Sequence, residues 1–270
     1  MQGAHQVSSR IRRASGASFL LAALAFAAPG FAAEVHVMIS GGFSAAYDAL
    51  APHFEKYGVQ KLVTVRGPSM GETPEAIPNR IDRGEPVDVV IMVSEALDGL
   101  IKRGKVMPDS KVDLARSKIA MAVKAGAPRP DISTVDALKR TLLAAKSIAY
   151  SDSASGVYLQ NVLFPKLGIA DPLKGRARMI PAEPVGRVVA RGEAEIGFQQ
   201  LSELKPVPGI DIVGLIPEGA QKVTTFSAGI ATGTKNYEGA YALVKFLSLD
   251  FVRDPIERTG LEPVAGKMAY

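Results

Sequence analysis

The sequence predicts an α/β protein of two lobes, with open mixed sheets, flanking helices and a ligand cleft between the lobes. Three observations predict it. Short β-type runs alternate with amphipathic helical segments through residues 35–247, the pattern of helices packed on the faces of open sheets. The apolar register changes near Leu114, where a second set of elements begins. No segment repeats at a fixed period and no low-complexity linker interrupts the chain, so two lobes joined by crossing strands near 115–123 and 223–230 is the economical arrangement. The first lobe is expected from 34–115 with 230–270, and the second from 116–229.

The elements follow in order. Residues 35–39 (VHVMI) read as a buried strand. After Ser40, Phe43, Ala46, Tyr47, Leu50 and Phe54 recur at helical spacing. A strand over 61–66 is followed by a helix to Arg83, where Gly84 stops it. The apolar run 87–93 (VDVVIMV) reads as a fully buried strand, and a helix over 95–103 ends at Gly104. In the second lobe, 118–123 and 147–150 are strands, and Ser133 with Asp136 resembles a capping box for a helix over 135–145. A helix after the small polar turn 151–156 runs to Leu167 and stops at Gly168. Strands over 177–180 and 195–199 flank a helix over 185–191. Residues 223–230 make a return strand, and a helix covers 237–247.

Residues 1–33 read as an export signal. Arg10, Arg12 and Arg13 form a basic start with no acid, the apolar run 17–28 follows, and small residues at Gly30, Ala32 and Ala33 fit a cleavage site. The run is shorter than the roughly 20 residues that span a bilayer, so it reads as a removed leader rather than a membrane helix. Periplasmic localisation is the expectation, with no membrane span in the mature form.

Composition excludes several classes. The formal net charge is +5, and the three leader arginines supply most of it. What remains is spread without a basic stripe, and there is no tryptophan, so nucleic-acid binding gains no support. Cysteine is absent, which removes disulfides, thiolate metal sites and a cysteine nucleophile. Beyond the leader only His36 and His53 remain, too few for a histidine-rich zinc site. Neither a metal nor a cofactor is expected.

Ligands of open α/β sheets sit beyond the carboxyl ends of strands, where helix N-termini present backbone N–H groups to anions. Four turns have the small residues this needs: 40–44, 66–71, 151–156 and 181–186. They make Gly41, Gly42 and Phe43 candidates from the first, and Arg66, Ser69 and Met70 from the second. Ser153, Ser155, Gly156 and Tyr158 come from the third, and Val185 from the fourth. Arg66 ends a strand and offers a guanidinium fork to a carboxylate. Gln199 and Gln200 end another strand, and one of them is expected to face the cleft.

These segments resemble a known family. The run Ile77-Pro78-Asn79-Arg80-Ile81-Asp82-Arg83-Gly84-Glu85-Pro86-Val87-Asp88-Val89-Val90-Ile91, with Ser155-Gly156-Val157-Tyr158 and 185–197, looks like the molybdate-binding branch of the type II periplasmic binding proteins. That resemblance spans about 34–264. It implies an oxyanion held at positions matching Gly42, Ser69, Ser155, Val185 and Gln200. Gly42 stands where that branch has a serine and Gln200 where it has a tyrosine, so two hydroxyl donors are missing. The turns also resemble the aconitate isomerase branch, in Gly41-Gly42-Phe43, Ser69-Met70-Gly71, 77–92 and 150–158. That likeness implies a tricarboxylate and a proton shift across an allylic carbon, with Tyr158, Ser155 or Asp152 near the reacting carbon and no residue assigned as the base. The expectation is therefore an exported solute-binding protein, monomeric, that closes on a small anion and delivers it to an ABC permease. A carboxylate suits the turns better than molybdate, and the alternative is an aconitate isomerase on the same fold.

Overall fold

The computed structural model describes residues 33–58 and 60–264; the leader reading for 1–33 falls almost wholly outside the described residues. Two sheets organise the chain. The first holds six strands, in the order β11 (Glu262–Pro263), β4 (Val112–Ser117), β10 (Thr224–Ile230), β3 (Val89–Val93), β1 (Ala33–Ile39) and β2 (Gln60–Arg66). The second holds five, in the order β7 (Ala177–Ile180), β6 (Ile148–Ser151), β8 (Ile196–Gln200), β5 (Ile119–Lys124) and β9 (Ile210–Leu215). Both are mixed. β1, β2 and β3 run parallel while β10 is antiparallel to β3 and β4; β6, β7 and β8 run parallel while β5 is antiparallel to β8 and β9.

Only Lys118 separates β4 from β5, so the chain passes from one sheet to the other within a single residue. It returns before Thr224. β10 pairs with β3 and β4, and this places 224–229 in the first sheet rather than with 116–229. Side chains explain the placement: Phe226, Ala228 and Ile230 enter the same core as Val89, Ile91 and Val93 of β3.

The central strands bury both faces, and their two-residue period divides their side chains between two cores. Val89, Ile91 and Val93 join one core with α1 (Gly41–Gly58), whereas Val90 and Met92 join another with Ile77 and Ile81 of α2 (Ile77–Asp82) and Leu97 and Leu100 of α3 (Ser94–Lys102). This is why residues 89–93 read as a continuous apolar run instead of an alternating one. In the second sheet Ile119, Met121 and Val123 of β5 meet Leu138 and Leu142 of α4 (Val135–Ala144), and Ala120 and Ala122 face the other way. Each buried aliphatic side chain contributes about 1.5–3 kcal/mol.

Helix ends follow local rules. Gly84, Gly104 and Gly168 take left-handed φ values of 78°, 69° and 66° where the sequence predicts stops. The cap of α4 differs from the expectation. Thr134 accepts the Ala137 N–H, while the Ser133 N–H is held by Asp131. The helix after β6 is composite: α5 (Ala154–Tyr158) passes through a π turn (Leu159–Leu163) into α6 (Phe164–Lys166). α7 (Val185–Ala190) follows β7, α8 (Leu201–Leu204) follows β8, and α9 (Tyr237–Leu247) and α10 (Arg253–Arg258) close the chain. No helix among the described residues is long and apolar enough to cross a membrane.

Away from the cleft, Asp88 staples the start of β3. Its buried carboxylate accepts the His36 N–H at 2.8 Å, the Thr234 hydroxyl at 2.6 Å and the Lys235 N–H at 3.1 Å.

Candidate functional site

The carboxyl ends of β1, β2, β6, β7 and β8 converge on one cavity of about 460 Å³. Its position follows the strand-end rule for open α/β sheets. Of the residues singled out by sequence, Gly41, Gly42, Arg66, Asp152, Ser153, Ser155 and Gln200 line it, and Gln199 does too, so both glutamines reach the cavity where only one was expected to.

The others lie behind the wall, each held by a specific contact. Phe43 is fully buried in the first core, and Met70 packs against that core. Ser69 is fully buried, and its Oγ accepts the Val93 N–H at 3.0 Å. Gly156 lets α5 press onto β6, since a Cβ there would overlap the Ser151 carbonyl. Tyr158 donates its hydroxyl to the Ala220 carbonyl at 3.0 Å. Val185 is buried and its N–H donates to Gln199 Oε1 at 2.9 Å.

The 18-residue helix α1 opens at the cavity with two glycines and no acid in its first turn, so its positive end faces the space unobstructed. Both glycines are required by close neighbours. A Cβ on Gly41 would collide with the Glu203 carboxyl, and one on Gly42 would fall inside the Phe226 ring. The serine of the molybdate branch is therefore excluded at position 42 by Phe226. Ser40, just ahead of α1, lines the cavity with a buried hydroxyl that has no partner among the described residues. Across the cleft, Ser151 and Ser155 share a hydrogen bond of 2.9 Å and both reach the cavity. Gln200 donates from Nε2 to Thr224 Oγ1 at 3.1 Å, and its buried Oε1 has no partner among the described residues.

Two cations reach the rim. Arg66 is about half exposed and ion-paired with Asp48, which also lines the cavity. The guanidinium that the sequence offers to a carboxylate thus already has an anionic partner. Arg187, in the first turn of α7, lines the cavity with no hydrogen bond or ion pair from its side chain among the described residues.

The carboxyls are more informative. Glu203, from the short helix α8, lines the cavity and accepts a hydrogen bond from Gln199 Nε2 at 2.9 Å. Burial pushes its pKa up to about 7; hydrogen bonding to Gln199 and to the Gln200 backbone opposes the rise, and the charge of Asp152 adds to it. The side chain keeps partial access to the cleft while its ionised form is largely desolvated. Asp152 is also raised, first by burial, against a backbone hydrogen bond from Ala182. That bond, 2.9 Å to Oδ2, holds Ala182 at φ 52°, the one left-handed residue other than glycine among those described. Strain of this kind costs about 1–3 kcal/mol and clusters at binding sites. At the rim, Glu183 is depressed by its ion pair with Arg191.

Glu203, Gln199, Ser202 and Arg187 complete the wall, and the sequence reading gave no site role to Glu203, Ser202 or Arg187. Glu203 and Ser202 follow directly on strand β8, so the strand-end rule could have found them. Ser202 ties the lobes together, its Oγ donating to the Gly42 carbonyl at 2.7 Å.

Comparison with known proteins agrees with this architecture. The profile of the family "Bacterial extracellular solute-binding protein" matches residues 35–262. The chain is 56% identical over 228 residues to an aconitate isomerase of a Pseudomonas species, covering 84% of this chain and 87% of that one. It is 27% identical to the molybdate-binding protein ModA of Azotobacter vinelandii, over 80% of this chain and 84% of that one. The solved structure of the periplasmic molybdate-binding protein of Azotobacter vinelandii superposes with a TM-score of 0.68 at 21% identity, covering 84% of this chain and 98% of that chain; this shows the type II periplasmic binding fold. The chain belongs to the bacterial extracellular solute-binding protein family.

Proposed function

We propose that this protein is an exported isomerase that interconverts trans- and cis-aconitate in the cleft between its lobes. The observation that carries the reading is the 56% identity to an aconitate isomerase over 84% of the chain. It reverses the order of the two readings reached from the sequence.

The cleft supplies what the substrate needs. A tricarboxylate requires several separate anion contacts, and the first turn of α1, the Ser40, Ser151 and Ser155 hydroxyls, Arg66 and Arg187 surround one cavity. Gly42 and Gln200 remove hydroxyls suited to a tetrahedral oxyanion, which favours flat carboxylates over molybdate.

The reaction is an allylic proton shift. A C–H bond of the methylene breaks, and its electron pair forms a new double bond to the central carbon. The former double-bond pair takes up a proton at the former vinyl carbon, on the other side of the central carbon. No electron is lost or gained overall, so the chemistry needs a base and stabilised carboxylates and no oxidant.

The test is direct. Purified protein is incubated with trans-aconitate and conversion is followed by proton NMR through the distinct vinyl signals of the two isomers. Appearance of cis-aconitate is expected. No turnover at high protein concentration rejects the reading. Ligand-induced thermal stabilisation without turnover would instead favour the family's solute-binding role, with delivery of a carboxylate to an ABC permease.

A further inference from the structure

We propose that Glu203 carries the proton between the methylene and vinyl carbons that flank the central carbon of the substrate, acting as the single base of the allylic shift; the assignment rests on the isomerase reading above. A one-base shift needs one group facing both carbons from the same side. The carbons stand in a 1,3 relation, a span that the two oxygens of one carboxyl can cover.

Geometry favours Glu203 among the cleft carboxyls. It projects from the β8–α8 junction into the cavity and lies against Gly41, the first residue of α1. A substrate carboxylate held at that helix end is therefore adjacent to the Glu203 oxygens. Gln199 fixes the orientation through its bond to Oε1. Its other amide atom, Oε1 of Gln199, is anchored on the Val185 N–H, so the orienting amide is itself held at both ends.

The rivals are engaged or exposed. Asp48 is ion-paired with Arg66, Glu183 with Arg191, and Glu75 is exposed. Asp152 is committed through Oδ2 to the strained Ala182 N–H. Tyr158 is bonded to Ala220 and is not part of the cavity wall.

Burial also poises the group. A base that takes and then returns one proton per cycle works best when both forms are accessible near neutral pH, and Glu203 is pushed up to about 7. Gly41 from α1 and Gln199 from β8, both uncharged, pack against it, and the charge of Asp152 from the β6–α5 turn adds to the effect of burial.

The test compares wild type, E203Q and D152N of the full chain with trans-aconitate in deuterium oxide. In the wild type the proton that Glu203 removes is expected to return to the substrate, so part of the product forms without solvent deuterium. E203Q is expected to lower kcat by about 10²–10⁴-fold, while trans-aconitate still raises its melting temperature. E203Q activity above about a tenth of wild type, a larger loss of kcat in D152N than in E203Q, or wild-type product that always carries a solvent deuterium overturns the assignment and leaves the isomerase reading intact. No turnover by wild type overturns the isomerase reading itself. If E203Q does not fold, the wild-type pH profile decides. The base works deprotonated, so kcat/KM rises with pH through about 7 and then levels; a profile with no rise in that region overturns the proposal.

Discussion

Replacing Gly42 by serine restores the hydroxyl that the molybdate branch carries there, and we expect it to cost stability without creating an oxyanion site. A Cβ at position 42 falls inside the Phe226 ring, with Cζ as its nearest atom. Phe226 is 2% exposed and belongs to the first core, so the ring has no solvent to swing into. Overpacking of this kind costs about 1–3 kcal/mol. For a chain of this size, roughly 2–4 °C per kcal/mol gives a fall in Tm of roughly 2–12 °C. Phe226→Ala alone should cost about 3–5 kcal/mol through the cavity it leaves. In the double variant the serine meets no ring, so its cost disappears and the pair is less destabilised than the sum of the singles by about 1–3 kcal/mol. Urea unfolding of the four proteins, followed by far-UV circular dichroism, measures all three terms. Wild-type stability in Gly42→Ser, or strict additivity in the pair, would refute the steric argument. A large molybdate-induced thermal shift in Gly42→Ser would refute the claim that no oxyanion site forms.

Two further predictions concern the same wall, and a third concerns the far end of β3. Gly41→Ala should leave global stability within about 1 kcal/mol, because alanine is the better helix former and the group it displaces is the end of the flexible Glu203 side chain. Its turnover should nonetheless fall at least about tenfold, measured by the NMR assay, and unchanged kcat would detach Glu203 from the chemistry. Arg187→Ala should weaken trans-aconitate binding by about 1–2 kcal/mol, whereas Arg66→Ala should cost less than about 1 kcal/mol because its half-exposed guanidinium already pairs with Asp48. Calorimetric titration ranks the two, and the reverse order would contradict the rim assignment. Asp88→Ala strands the His36 and Lys235 N–H groups and the Thr234 hydroxyl, at about 3–5 kcal/mol. Because Asp88 precedes β3 and the cleft lies beyond the strand's other end, urea unfolding should register the loss while ligand affinity in the folded protein stays unchanged.

Much of the fold is legible in local pattern. The apolar run ending at Val93 becomes a strand with both faces covered, and Gly84, Gly104 and Gly168 end helices because only glycine takes those φ values without a Cβ clash. β9 escapes the reading because its residues are mostly half-buried and its Gly214 breaks the alternation. Thr134 and not Ser133 is the cap because it stands directly before Val135, where its hydroxyl reaches the Ala137 N–H.

The sequence alone determined the element types, the helix stops and the strand ends at which a ligand can sit, since each depends on the periodicity or the backbone freedom of neighbouring residues. Tertiary structure decided which of those residues share the cavity. Ser69, Tyr158 and Val185 stand in the right turns but spend their polar atoms on the frame. Gly41 meets the Glu203 carboxyl, and Gly42 meets Ser202 from 160 positions away. Such meetings are fixed by how two sheets dock, and the poise of Glu203 comes from that docking, because desolvation is a property of everything around a group and not of its place in the chain.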